Sequence, residues 1–466
     1  MKSVSEIVES LRFPLEGAEG ASSVFFLGIG GIGMSALARY FNANGISVSG
    51  YDKTETTLCK ELVAEGINIH YEDNIEFIDK NAKLVIYTPA VPKDHKELNY
   101  FLAHDYTVVK RSDVLGAITA SGFNICVAGT HGKTTTSSMV AHILRHSGYG
   151  CNAFLGGIAV NYNSNFWSSE KNVYVAEADE YDRSFLKLSP DVAIISSMDA
   201  DHLDIYGTAE NMEQAFIDFS ARIKQGGLLI SKYGLKRNAE LKGSQHLTYD
   251  VDNAKADINS HNIRINNGSY VFDVKVKDKL VKDVLLNMGG MHNIENSTAA
   301  IAVAVHLNIE EEKIKDAVAA FRGVKRRFEY IIKNDSTVMI DDYAHHPEEL
   351  RALITGTKNL FSGKKCTVVF QPHLFSRTKD HADGFAEVLD IADEVLLLPI
   401  YPARELPMEG VNSEMILQRM ENKNAKVVSK EELLVEIKNK HPELLITAGA
   451  GDIDVLVEPI KKILEA

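Results

Sequence analysis

Ala128-Gly129-Thr130-His131-Gly132-Lys133-Thr134-Thr135-Thr136 stands between an apolar run, Asn124 to Ala128, and a helical pattern, Thr134 to Leu144. Glycines at 129 and 132 let backbone N–H groups turn inward on an anion, and the N-terminus of the following helix adds positive partial charge. Lys133 is spaced to reach the β- and γ-phosphates of ATP, and the Thr134 hydroxyl to ligate Mg²⁺. The general pattern G-x-x-x-x-G-K-[ST] asks for glycine at 127; Val127 stands there, so the loop is a shortened variant. The strand–loop–helix unit around it predicts a parallel α/β sheet.

Outward from this loop the same alternation recurs. Strand-like runs Val24 to Leu27 and Ile46 to Ser49 flank a helical Met34 to Phe41, and Thr337 to Ile340, Thr367 to Phe370, Glu394 to Leu398 and Leu444 to Thr447 alternate with helical segments near the other end. From Gly226 onward, Leu228 to Ile230, Ala256 to Ile265, Tyr270 to Val276 and Val284 to Asn287 read as short strands, with Asn267-Gly268 fit for a hairpin turn. The expected fold is α/β in three domains: residues 1–115 Rossmann-like, 116–325 a central P-loop ATPase-type sheet with a small antiparallel addition, and 326–466 Rossmann-like. A length of 466 residues suits about three domains at ~150 residues each.

Acidic groups follow two strands of the middle block, where open α/β sheets place ligands. They are Glu177-Ala178-Asp179-Glu180 and Asp199-Ala200-Asp201-His202, from which Glu177 and His202 are expected to share one divalent ion. The first block carries Gly28-Ile29-Gly30-Gly31-Ile32-Gly33 after a strand, with Asp52 at the end of the next, positioned for a ribose hydroxyl. Such a loop binds the diphosphate of NAD or of a UDP-sugar alike, because backbone amides recognise pyrophosphate. The last block offers Asp341-Asp342-Tyr343-Ala344-His345-His346-Pro347, then Gln371-Pro372-His373 and Arg377. Adjacent histidines on a regular strand face opposite ways, which argues against a transition-metal centre and for groups that position substrate. Lys325-Arg326-Arg327 is either a solvated linker or the source of a guanidinium that crosses to the γ-phosphate.

Composition narrows the partners. Fifty Lys+Arg against 64 Asp+Glu give a net charge of −14, a field that repels nucleic acid and anionic lipid. Four cysteines without a C-x-x-C pair give no disulfide framework or zinc site. The start MKSVSEIVESLRF carries Glu6 and Glu9 where a signal peptide needs an apolar run. The expectation is a cytoplasmic enzyme without membrane insertion, a monomer or homodimer.

Gly129 to Thr135, Glu177 to Glu180, Asp201-His202, His292-Asn293 with Asn296, Arg326-Arg327-Phe328 and Asp341 to Pro347 together resemble the Mur ligases, over essentially the whole chain. The resemblance implies ATP-dependent ligation of L-alanine to the carboxylate of UDP-N-acetylmuramate through an acyl phosphate, with Mg²⁺, in peptidoglycan precursor synthesis. By the same resemblance Gly129, Thr130, His131, Gly132, Lys133, Thr134, Thr135, His292, Asn293, Asn296, Arg327 and Asp342 bind ATP. Thr134, Glu177 and His202 hold metal. Gly28, Gly30, Gly31, Gly33, Asp52, His131, Tyr343, His345, His373 and Arg377 bind the other substrates. Lys133, Glu177, His202, Arg327 and His345 carry the catalytic roles. Ser196-Ser197 replaces a common T-N pair, Leu374 a common arginine, and Tyr206 to Arg222 holds no lysine for carbamoylation. The alternatives are a recycling ligase that adds a preformed peptide, an NAD-dependent oxidoreductase, and a nucleotide-gated binding module.

Overall fold

A computed structural model describes residues 3–12, 23–403 and 405–466. A helix, Val4–Arg12, precedes the first sheet. That sheet contains β1 (Ser23–Leu27), β2 (Ser47–Tyr51), β3 (Asn68–His70), β4 (Ala82–Tyr87) and β5 (Val108–Lys110), all parallel, in the order β3-β2-β1-β4-β5. Every residue of β1 is buried, as a parallel strand covered by helices on both faces must be.

The central sheet contains β6 (Phe123–Ala128), β7 (Asn152–Ala159), β8 (Ser164–Trp167), β9 (Val173–Glu177), β10 (Val192–Ile195), β11 (Leu228–Lys232), β12 (Gln245–Val251), β13 (Ile258–Asn266), β14 (Ser269–Val276) and β15 (Lys279–Leu286). Its order is β15-β14-β13-β12-β11-β10-β6-β9-β7-β8. The antiparallel addition is smaller than the sequence pattern suggests. Leu228–Lys232 and the unanticipated β12 pair in parallel with the ATPase-type strands, and only β13-β14-β15 and the β7-β8 pair run antiparallel. The β13–β14 turn is the expected Asn267-Gly268, both residues left-handed with φ of 47° and 71°. The third sheet orders β16 (Glu329–Lys333), β17 (Val338–Asp342), β18 (Cys366–Phe370), β19 (Glu394–Leu397), β20 (Ala425–Val427) and β21 (Leu444–Ala448) as β16-β17-β21-β18-β19-β20. Only its edge strand β16 is antiparallel.

The first two sheets are locked together. Helix Ile32–Ala43 packs on β7 and β8, where the Tyr40 ring lies 5.6 Å from Phe154 and 6.0 Å from Phe166. Beside it the buried Arg39 donates to Asn165 Oδ1 at 2.6 Å and to Glu65 at 2.7 Å, and the Asn165 amide donates back to Ser35 Oγ at 2.9 Å. Burying that guanidinium is tolerable because it is paired and hydrogen-bonded. The first glycine loop is thereby held at a set position against the central sheet.

Helix Lys133–His146, which starts at the phosphate loop, is buried along most of its length. His142 on it accepts from the Tyr162 hydroxyl at 2.9 Å and donates to the Ala317 carbonyl at 2.9 Å, a network that fixes the neutral ring. Burial pulls its pKa down to about 4 from 6.5. The unfolded chain therefore binds a proton that the folded chain refuses between those values. His142 stabilisation is complete above pH 6.5 and about 3 kcal/mol of it is lost as pH falls through 4. Urea unfolding at pH 7 and pH 5 should show this slope, and His142→Gln should flatten it; an unchanged slope in the variant refutes the assignment.

Candidate active site

The phosphate loop joins β6 to its helix through two glycines whose backbone no other residue adopts easily, Gly129 at φ 137° and Gly132 at φ 80°. A Cβ on Gly129 would lie 2.1 Å from Ser196 Oγ, and one on Gly132 2.7 Å from Asn296 Oδ1. The Ser196-Ser197 pair ties the loop down twice over. Ser197 Oγ accepts from His131 N at 2.8 Å and pairs with Thr130 Oγ1 at 2.8 Å, while Ser196 Oγ donates to the His131 carbonyl and to that of Ala128 at 3.2 Å. These bonds hold the loop in its anion-binding shape before any ligand arrives. The His131 side chain itself is exposed, 3.8 Å from Asp199.

Lys133 Nζ donates to the Gly129 carbonyl at 2.6 Å and to Glu180 Oε1 at 2.7 Å. Glu180 is 1% exposed, and its second oxygen is buried with no hydrogen-bond partner among the described residues. Burial pushes its pKa up against the pull of Lys133. His202, in a left-handed conformation at φ 48°, brings Nε2 within 3.9 Å of Glu180 Oε1. Asp201 Oδ2 lies 3.8 Å from the same nitrogen, so His202 stands beside two carboxylates. Glu177, at the end of β9, accepts from Gly156 N at 3.1 Å, and burial raises its pKa while Lys133 and the Thr134 hydroxyl oppose that rise.

A cavity of about 410 Å³ lies between the first glycine loop and the end of β9, the strand paired with β6. Gly31, Gly33 and Thr88 line it from the first domain, and Gly156, Glu177 and Asp179 from the central one. Lys110 and Arg111, which sequence reasoning missed, close its side: Lys110 pairs with Asp182 at 2.9 Å and Arg111 with Asp179 at 3.5 Å. Their signal was a basic pair following a short apolar run on the ligand side of the sheet. Asp52 reaches the first loop as expected, but its Oδ2 accepts from Gly30 N at 2.8 Å and its Oδ1 from Thr54 N at 3.1 Å, so it shapes the glycine turn. Gly28, at φ 83°, supplies the turn's left-handed residue.

From the other side, the linker pairs with β7 through a bridge between Val324 and Ala159. Arg326 is consumed as a staple: it donates to Asp341 at 3.2 Å and to the Gly449 carbonyl, and lies over the Tyr343 ring. Arg327 is left exposed, close enough to Glu177 and Asp342 to act on the charge of both. Both Asp342 oxygens accept backbone N–H groups, from Phe328 and Ala344 at 2.7 Å each, and burial pushes its pKa up to about 6. His345 Nδ1 donates to the Tyr343 carbonyl at 2.9 Å, which leaves Nε2 as the ring's acceptor, and its ring lies 6.3 Å from that of His373. The guanidinium of Arg377, half-buried beside His373, has no hydrogen bond or ion pair among the described residues.

The His292, Asn293 and Asn296 group starts helix Met291–His306. Its amides are engaged with one another and with the phosphate-loop helix: Asn293 donates to the Gly289 carbonyl at 2.7 Å, Asn296 donates to Asn293 at 3.2 Å, and Thr136 Oγ1 donates to Asn296 at 3.1 Å. His292 alone of the three is exposed. The Thr134 hydroxyl and Glu177 meet at the end of the loop, and hard oxygen donors of this kind suit Mg²⁺.

Three family models match successive parts of the chain. The Mur ligase family catalytic domain covers residues 23–122, the Mur ligase middle domain 127–304, and the Mur ligase glutamate ligase domain 326–451. The chain belongs to the Mur ligase family. Its relatives include the UDP-N-acetylmuramate–L-alanine ligase of Flavobacterium johnsoniae, 51% identical over 95% of this chain and 98% of that protein. The ligase of that name from Cytophaga hutchinsonii is 48% identical over 95% of this chain and 97% of that one. The crystal structure of the UDP-N-acetylmuramate-alanine ligase of Thermotoga maritima superposes with a TM-score of 0.79 at 29% identity, covering 95% of this chain and 98% of that one. A murein peptide ligase from Psychrobacter arcticus shares the Mur ligase fold, with a TM-score of 0.65 at 22% identity and coverage of 95% and 98%.

Proposed function

We propose that this Mur ligase joins L-alanine to the muramoyl carboxylate of UDP-N-acetylmuramate at the expense of ATP, in the cytoplasm. The observation that carries the reading is the cavity in which the first glycine loop faces Glu177 and Asp179, at the end of the strand paired with the one that leads into the phosphate loop. A carboxylate is a poor acyl donor. One of its oxygens attacks the γ-phosphorus, ADP leaves, and an acyl phosphate forms. The uncharged amine of alanine then adds to the acyl carbon, and phosphate departs as the amide forms.

In this reading the loop amides and Lys133 hold the β- and γ-phosphates, so negative charge moving between reactants meets donors already in place. Lys133 exchanges Glu180 for phosphate when ATP binds. Thr134, Glu177 and His202 would hold Mg²⁺, whose charge would offset that of the anionic reactants. Lys110 and Arg111 sit where the sugar nucleotide crosses from the first domain. Arg327 reaches the γ-phosphate from the linker, with Asp342 holding the linker to the third sheet. Arg377 clamps alanine's carboxylate and His345 Nε2 takes the ammonium proton.

The test is phosphate release from UDP-N-acetylmuramate, ATP and Mg²⁺ with L-alanine or with a tripeptide as acceptor. L-alanine dependence supports the reading and tripeptide preference overturns it. Arg377→Ala should raise the KM for alanine by about ten- to a hundredfold, the worth of one charge-assisted pair, and leave the KM for ATP near its original value. An unmoved alanine KM removes Arg377 from the clamp.

A further inference from the structure

A second space between domains lies away from the chemistry. Its volume is about 1250 Å³, and it opens between the Asn267-Gly268 hairpin and the Ala319 to Arg322 stretch of the central domain on one side, and β16 and the end of helix Pro347–Leu360 on the other. Its position follows from the topology. In the antiparallel β16–β17 pair, Glu329 faces Asp341 at the catalytic end and Lys333 faces Val338 at the opposite end. Helix Pro347–Leu360 likewise begins beside His345 and ends at this cavity, 14 residues or about 21 Å away.

The wall carries three cations, Arg322, Lys333 and Lys364, and one carboxylate, Asp335. None of the three cations is paired with a carboxylate among the described residues. Lys333 Nζ donates to the Gly268 carbonyl at 3.1 Å and Ser269 Oγ at 2.8 Å, and Lys364 Nζ to the carbonyls of Asp335 at 2.7 Å and Ser336 at 3.3 Å. Arg322 is exposed and has no hydrogen-bond acceptor for its guanidinium among the described residues. A locally positive concavity is unusual in a chain of net charge −14, where unpaired cations would ordinarily find carboxylates. Between the charges lie Val160, Phe321, Leu360 and Phe361, an apolar floor. Cations on an apolar floor match a small molecule with an aromatic body and an anionic head.

We propose that this cavity is a second ligand site, for an amphipathic anion, its head held by Arg322 and Lys364 and its body on Phe321 and Phe361. Its two walls belong to different domains, so an occupant bridges them without touching either glycine loop. The same tip explains why the walls stay apposed: the Gly268 carbonyl also accepts from the Tyr330 hydroxyl at 2.9 Å, and a Cβ on Gly268 would strike the Phe361 ring at 2.3 Å.

The probe is anilinonaphthalene sulfonate, followed by its fluorescence on the full chain saturated with ADP, Mg²⁺ and UDP-N-acetylmuramate. Saturable binding should persist with the catalytic cleft filled. Arg322→Gln with Lys364→Gln should weaken it by about tenfold or more, since two charge-assisted contacts are lost. The alanine-dependent turnover of that double variant, measured without probe, should match the original. Displacement of the probe by ADP or UDP-N-acetylmuramate, or equal affinity in the double variant, overturns the proposal. The binding readouts do not depend on which acceptor the enzyme uses, so failure of the proposed function leaves the second site standing, and the reverse.

Discussion

Lys133→Ala is expected to abolish most turnover while leaving a folded chain. The ammonium it removes is the only side-chain cation that the phosphate loop itself carries, and loss of one preorganised charge at a developing anion costs about 3 kcal/mol or more, roughly a hundredfold in kcat or beyond. The structure adds a second consequence. Glu180, 1% exposed, loses its ion-pair partner at 2.7 Å, and a buried charge left alone costs about 3–5 kcal/mol of stability. The variant should therefore melt lower as well as turn over slowly. Glu180→Gln added to Lys133→Ala should restore much of the Tm and none of the activity. Near-original turnover in Lys133→Ala removes the phosphate-cradle role; an unchanged Tm removes the buried-pair role.

Gly129→Ala is the other change with a large expected effect. A methyl there meets Ser196 Oγ at 2.1 Å and two backbone nitrogens at 2.9 and 3.1 Å, in a residue whose φ is 137°. The neighbours that must yield are the serine contacts that hold the loop, so the substitution undoes the preorganisation along with the backbone. Strain of this kind costs about 1–3 kcal/mol by itself, before the clash. ADP affinity, read by calorimetry, should fall by about tenfold or more. Binding equal to the original chain would mean that the loop is not shaped as described. The same change at Gly226, where nothing lies within 4 Å but φ is 83°, is the control for backbone strain alone.

Particular residues show where sequence and structure part company. The phosphate loop, its strand and its helix were legible because their chemistry is local: glycines, a lysine and a threonine at set spacing on one turn of chain. The hairpin at Asn267-Gly268 was legible for the same reason. The pairing of Leu228–Lys232 was misread because a short apolar strand looks alike in parallel and antiparallel sheets, and its neighbours decide. Choosing Arg327 over Arg326 for the nucleotide agrees with the exposure of the one and the stapling of the other, yet nothing in two adjacent arginines tells them apart.

The sequence by itself determined an α/β chain in three domains and the family to which the chain belongs. Only the tertiary structure decided that Glu180 pairs with Lys133 and lies beside His202, that Ser197 holds the loop across 66 residues of chain, and that Lys110 and Arg111 close the cavity. Spacing encodes what one turn of backbone brings together. Which side chains meet across a sheet depends on strand order and on how the chain leaves each strand, and those are settled by packing the whole core at once.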